Sequence, residues 1–225
     1  MLDRTCVRYA GSVAVSTAPR APTAPLAPSW QPSLLDAGEE PAGDPALSGA
    51  RRRFLGAGAW IDVVPGWVRG ADQLFGRLID VAPWAARERV MFDAVVTEPR
   101  LSTGTWDHPP EPCPQLAGLL GARYGLDLSA VSANLYRDGR DSVAWHGDRL
   151  GLSRAQTVVA IVSLGEPRRL LLRPHGGGPS IRLQPGHGDL VVMGGTCQRT
   201  WDHAVPKCAA AGPRVSLMFR EPGVF

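Results

Sequence analysis

Lysine is nearly absent from this 225-residue chain: Lys207 is the single example, and arginine carries the rest of the positive charge. A guanidinium grips carboxylate or phosphate through two prongs, where an ammonium offers a point charge. A GC-rich coding bias, which also raises Ala, Gly and Pro, accounts for the same composition. Cysteine is sparse too. Cys6, Cys113, Cys197 and Cys208 form no CxxC pair and no regular spacing, which argues against a disulfide-stapled secreted protein and for free thiols in a reducing cytosol. No apolar run approaches the length that spans a membrane. Val13-Ala14-Val15, after Arg4 and Arg8, is too short for the core of a signal peptide. No internal repeat is visible. Charged residues make up only 20%, with a net charge of +3, so the balance neither demands nor excludes a polyanionic partner. The expectation is a soluble, cytoplasmic protein without a membrane partner, acting as a monomer.

What remains is enough apolar material, 44% of residues, for one sizeable core. Residues 1–50 are rich in Ala, Pro, Ser and Thr and offer little periodic apolar surface, so they read as a mostly disordered arm. Trp30 and Leu34-Leu35 are its candidates for local docking. Residues 51–225 form the expected domain. Residues 59–64 read as a strand, and 65–83 as a helix on the spacing of Leu74, Leu78 and Val81. Residues 90–97 read as a strand, 102–114 as a loop, and 115–124 as a helix closed by Gly125. Short strands follow at 130–136, 142–148, 157–164, 168–173, 180–183, 189–193, 199–204 and 214–220, separated by turns such as Asp138-Gly139 and Gly176-Gly177-Gly178. Helices first and many antiparallel strands afterwards predict an α+β, mainly β fold: a double-sheet roll backed by N-terminal helices.

Within that pattern, His146 and Asp148 stand two apart, on one face of an expected strand, and His203 follows on a later one. Two histidines and a carboxylate are the facial set that holds non-haem iron and leaves positions open for O2 and a chelating cosubstrate. Taken alone, HxD is more often a hydrogen-bonded structural pair, and the same ligands suit zinc. Arg214 and Arg220 share one face of the last strand with Ser216 and Met218. Buried arginines need anionic partners, and a dicarboxylate is a suitable one; a solvent-facing edge strand is the plainer alternative. Asn134 and Tyr136 share a face upstream and are placed to donate hydrogen bonds to the same diacid. Trp145 falls opposite His146 and reads as core. His175 and His187 read as exposed, and Arg51-Arg52-Arg53 as a solvated charge cluster.

These residues together resemble the AlkB family of nucleic-acid dealkylating dioxygenases. The likeness runs through Ala59-Trp60, Pro65-Gly66-Trp67, Pro99-Arg100-Leu101, Asn134-Leu135-Tyr136 and His146-Gly147-Asp148. It continues through residues 188–193, Trp201-Asp202-His203 and residues 214–220. It implies a double-stranded β-helix, or jelly roll. It implies His146, Asp148 and His203 as ligands of Fe(II). For 2-oxoglutarate it implies Arg214 at the far carboxylate, Arg220 near the metal-bound one, and Asn134 and Tyr136 as further contacts. Ser216 stands where the family's closing motif usually has Asn, and Arg149-Leu150 stand where many relatives carry acidic residues.

The activity so implied is oxidative demethylation of N-alkylated bases in DNA or RNA, with 2-oxoglutarate and O2 as cosubstrates and formaldehyde released. Arg100 and Trp106 are the candidate substrate contacts, the first for phosphate or base, the second for stacking on a flipped base, with core packing an equal alternative for Trp106. A same-fold dioxygenase acting on a protein or small molecule, and a non-enzymatic metal-binding roll, are the alternatives.

Overall fold

The computed structural model describes residues 38–91, 94–148 and 154–224. Trp30, Leu34-Leu35 and Arg149-Leu150 fall outside that range. In chain order the elements are β1 (Ala42–Gly43), β2 (Arg51–Gly56), β3 (Ala59–Val64), β4 (Val68–Arg69), α1 (Ala71–Val81), β5 (Ala85–Met91), β6 (Ala94–Thr105), α2 (Cys113–Tyr124), β7 (Ala130–Tyr136), β8 (Val143–His146), β9 (Thr157–Gly165), β10 (Leu170–Pro174), β11 (Ile181–Leu183), β12 (Leu190–Gly195), α3 (Cys197–Thr200), β13 (Trp201–Val205) and β14 (Arg214–Arg220). Among the described residues no helix is long and apolar enough to cross a membrane.

Two antiparallel sheets make the expected jelly roll. The larger has strand order β2-β3-β12-β9-β14-β7-β6-β5, and the smaller has β11-β10-β13-β8. Side-chain alternation sorts the large sheet's two faces. Along β14, Val215, Leu217 and Phe219 join the core shared with Leu74, Phe75 and Leu78 of α1 and Leu116 and Leu120 of α2. Its intervening residues, Arg214, Ser216, Met218 and Arg220, line a cavity on the other face. Strand β7 splits the same way, Val131, Ala133 and Leu135 to the helices, Ser132, Asn134 and Tyr136 to the cavity. A second core lies on the cavity side, with Val159, Ile161, Val191 and Met193 of the large sheet against Leu170, Leu172 and Val205 of the small one. Central strand β9 is buried along its whole length, which explains its nearly unbroken apolar sequence.

Several boundaries differ from the sequence reading. Helix α1 starts at Ala71, not residue 65, because β4 pairs with β1 and Gly70, at φ 61, adopts the left-handed conformation before the helix. Strand β6 runs to Thr105 through the expected loop. A register shift between Ser102 and Thr105 inserts an extra residue opposite β7, and this bulge accommodates Gly104 at φ 70. Residues 51–53 are exposed, as expected of a solvated cluster, but form the start of β2, where Arg52 pairs with Asp62 at 2.7 Å and stacks 3.7 Å above Trp60. Residues 197–200 make a helical turn before β13 instead of extending it. The end of the expected arm also packs: Leu47 is buried, the Asp44 N–H donates to the Trp67 carbonyl, and Trp67 Nε1 donates to the Asp44 carbonyl. The closing of α2 by Gly125, at φ 68, matches the expectation.

Trp60 packs closely over β12. A Cβ added to Gly194 would stand inside the van der Waals surface of the Trp60 ring, which is itself stacked against Tyr124 and Arg52. Gly194→Ala is therefore expected to lower stability by about 1–3 kcal/mol, the usual cost of overpacking, read as a fall in the thermal unfolding midpoint.

Candidate metal centre and its pocket

Strand β8 ends at His146, which is the register partner of His203 on β13. Cross-strand pairing brings the two imidazoles to a ring-centroid separation of 4.2 Å, tilted by 49°. Asp148 was expected inside the strand; instead it lies two residues past the end of β8. Gly147 permits this, since a Cβ there would meet the Gln198 carbonyl at 3.0 Å. The Asp148 backbone N–H donates to Gln198 Oε1 at 3.3 Å, which fixes the turn. One ligand atom from each of His146, Asp148 and His203 lies within 4.8 Å of the others.

The protonation pattern suits a cation. His146 Nδ1 is 2.8 Å from the Ala144 carbonyl, an acceptor only, so Nδ1 carries the proton and Nε2 presents its lone pair to Asp148, 3.9 Å away. Burial, with the neighbouring His146 adding to it, pushes His203 down to about 4, so its ring is neutral at physiological pH. Burial works against the Asp148 carboxylate, but Arg220, His203, His146 and Arg100 together hold it below the usual carboxylate range. Imidazole nitrogens and one anionic oxygen are what a divalent ion of borderline hardness takes up.

The same three side chains open onto a cavity of about 340 Å³. Arg214, Arg220, Ser216, Asn134, Tyr136 and Arg100 line it as well, so every expected metal and cosubstrate residue converges there. Arg214 is only 1% exposed. Its Nε donates to Ser163 Oγ at 3.0 Å, while Nη1 is buried with no hydrogen-bond partner. Burial pulls its pKa down, yet a guanidinium stays charged in proteins. A sealed cation with a spare donor is costly unless an anion joins it, which fits a bound carboxylate. Arg220 lies at the other end of the face, its Nη2 3.3 Å from Asp148 Oδ2. Ser216 is buried between its register partners Asn134 and Ser163. Arg100 reaches the cavity while paired to Glu98 at 3.3 Å.

Other sequence expectations fail here. Trp106 does not line this cavity. It packs against the helix-side core, the second of its two expected places, and borders an adjoining pocket with Asp107 and Glu221. Trp145 is not in either core; it is half-buried, and Arg173 lies 4.2 Å over its ring. His187, expected as exposed, is largely buried: its Nδ1 accepts from the Gly165 N–H at 2.8 Å, so Nε2 carries the proton and faces Asp72 Oδ1 at 3.1 Å. His175 is exposed as expected but contacts Asp202 at 3.0 Å. The sequence reading missed Ser163, Gln198 and Glu98. Ser163 had a signal, a lone hydroxyl within a buried apolar strand that must find a partner. Gln198 and Glu98 had none.

A family model described as the 2OG-Fe(II) oxygenase superfamily matches residues 93–220, which include every candidate metal and cosubstrate residue. The chain belongs to that superfamily. The chemistry of the 2OG-Fe(II) oxygenases takes iron(II), 2-oxoglutarate and O2, and the donor set and the buried guanidinium described above fit the first two. The AlkB resemblance read from the motifs stands among its relatives. The chain is 29% identical over 182 residues to the alpha-ketoglutarate-dependent dioxygenase alkB homolog 3 of Homo sapiens, across 69% of this chain and 64% of that protein. It is 30% identical over 149 residues to the DNA oxidative demethylase ALKBH2 of Arabidopsis thaliana, across 54% of this chain and 46% of that protein. The chain thus spans less than two thirds of these relatives' length. The solved structure of OsALKBH1 shares the fold, with a TM-score of 0.57, covering 76% of this chain and 100% of that one at 13% identity.

Proposed function

We propose that this 2OG-Fe(II) oxygenase oxidatively demethylates N-alkylated bases in DNA or RNA, holding iron(II) through His146, Asp148 and His203. The observation that carries the reading is Arg214, a buried guanidinium with a spare donor in the cavity that holds the His-Asp-His group. A zinc site or a structural His-Asp pair gives no reason for such a group. The names of the relatives, an alkB homolog and a DNA oxidative demethylase, support the nucleic-acid substrate.

Each residue has a distinct task. The His146 and His203 imidazoles and the Asp148 carboxylate would hold the ion. Arg214, a lining residue of the cavity, pairs with the far carboxylate of 2-oxoglutarate; its Nε is already anchored by Ser163 and its Nη1 has no partner. Arg220 neutralises the carboxylate beside the metal while steadying Asp148. Asn134, Tyr136 and the short Ser216 hydroxyl complete the polar lining. When bound, iron with 2-oxoglutarate and O2 supplies an oxidant that places an oxygen atom on an N-methyl carbon, and the product sheds formaldehyde. The protein's share is orientation and exclusion of water. A stacked base cannot reach a cavity lined from the inside of the roll, so the base is flipped or already unpaired. Arg100 at the cavity wall contacts the incoming nucleotide. Trp106, on the far side of the bulge, is not assigned a stacking role.

The test is formaldehyde release from single-stranded oligonucleotides carrying N1-methyladenine or N3-methylcytosine, with iron(II) and 2-oxoglutarate supplied and withheld. Release that needs both is expected. Succinate formed without any stimulation by methylated oligonucleotides would overturn the nucleic-acid reading and point to a protein or small-molecule substrate.

A further inference from the structure

Met218 carries the only sulfur among the described residues that line the cavity. It lies on β14 between Ser216 and Arg220 and is buried, 6% exposed. Its Sδ accepts from Asn134 Nδ2 at 3.6 Å and from Arg220 Nη2 at 3.4 Å. The same Arg220 Nη2 stands 3.3 Å from Asp148 Oδ2. Two contacts therefore link the sulfur to the candidate metal ligands. A thioether is the most readily oxidised group in that lining, since the others are guanidiniums, imidazoles, carboxylates, hydroxyls, a phenol, an amide and aliphatic chains. Met193 provides a contrast: it is buried in the same inter-sheet core but is not part of the cavity wall.

We propose that Met218 is a self-oxidation site, converted to the sulfoxide when 2-oxoglutarate is consumed with no base in the cavity. The inference rests on the dioxygenase reading above. The balance closes without an outside reagent. 2-Oxoglutarate loses CO2 and becomes succinate, giving two electrons, and the sulfur gives two more as its lone pair forms the S–O bond. The four electrons reduce O2, one atom of which ends in succinate and the other in the sulfoxide; no proton is transferred. The new oxygen is a far better acceptor than the thioether, and the Asn134 and Arg220 N–H groups are already beside it. Drawing Arg220 toward the sulfoxide takes it from Asp148 and from the adjacent carboxylate of the cosubstrate. Turnover without substrate is thereby self-limiting.

The experiment incubates the full chain with iron(II), 2-oxoglutarate, isotopically heavy O2 and catalase, without oligonucleotide, and maps peptide masses while succinate is measured. One heavy oxygen on the peptide carrying Met218 is expected. It should rise with succinate, be absent when 2-oxoglutarate is withheld, and leave Met193 unmodified. A methionine sulfoxide reductase acting on the digested peptide should remove it. Met218→Leu, similar in volume, should lose the modification and keep its initial succinate rate for longer. Succinate accumulating with Met218 unmodified, or equal oxidation of Met193 and Met218, overturns the proposal and leaves the dioxygenase reading standing. Absence of succinate here, with formaldehyde released once methylated oligonucleotide is added, overturns the proposal alone; absence of both products overturns the dioxygenase reading as well.

Discussion

Arg214→Met is expected to abolish 2-oxoglutarate binding while iron(II) still binds. The wild-type guanidinium is sealed, holds Ser163 with one nitrogen and keeps another without a partner. Paired, charge-assisted hydrogen bonds to a carboxylate contribute about 1.5–3 kcal/mol each, so losing two weakens cosubstrate affinity by about two to four orders of magnitude. Iron binding survives because Arg220, and not Arg214, contacts Asp148. The sign of the stability change separates this role from a structural one. A buried charge that awaits its anion destabilises the ligand-free protein, and replacing such charges by an apolar side chain of similar volume is often neutral or stabilising. The cosubstrate-free variant should therefore unfold at the wild-type temperature or above it. What it should lose is the rise in unfolding temperature that 2-oxoglutarate gives the wild type. Arg214→Lys keeps the charge but not the two-pronged geometry, and should fall between the two. Undiminished 2-oxoglutarate affinity in Arg214→Met would remove this residue from the cosubstrate site.

Asp148→Asn is the second large effect. Altering groups that merely orient a metal's ligands costs 10- to 100-fold in affinity, and loss of a charged ligand costs more. Iron affinity should drop by more than about 100-fold, and turnover should vanish. The substitution is isosteric, so the turn at Gly147 and its hydrogen bond from the Asp148 backbone N–H to Gln198 remain. Removing the carboxylate leaves Arg220 and Arg100 facing two histidines, which adds repulsion between the site and any cation. Equilibrium titration with iron(II) under anaerobic conditions measures the first effect directly. Wild-type affinity in Asp148→Asn would exclude the carboxylate as a ligand and leave the two imidazoles as an aromatic pair.

The periodicity of the strands, the even spacing of Arg214, Ser216 and Arg220, and the pairing of Asn134 with Tyr136 were all legible. A strand has one geometry, alternating faces, whatever surrounds it. That is why β7 and β14 appear in the structure at the residues expected and present the expected faces to the cavity. His146 and His203 were legible as types, and the fold class as a run of strands behind helices. Less regular segments were not. The bulge in β6 depends on the partner strand, so its place could not be read locally, nor could which of its two expected places Trp106 takes. His187 looked like a turn residue among glycines, and only the tertiary approach of Asp72 and Gly165 buries it.

By itself the sequence determined the alternation that sends aliphatic side chains to the helices and polar ones inward, and the residue types of a metal and diacid site. Only the tertiary structure decided that they meet. Cross-strand register puts His203 opposite His146, the bareness of Gly147 lets Asp148 turn toward them, and packing buries the Arg214 guanidinium with a donor to spare. The reason is that register, bulges and desolvation arise between segments far apart in the chain, where no local pattern constrains them.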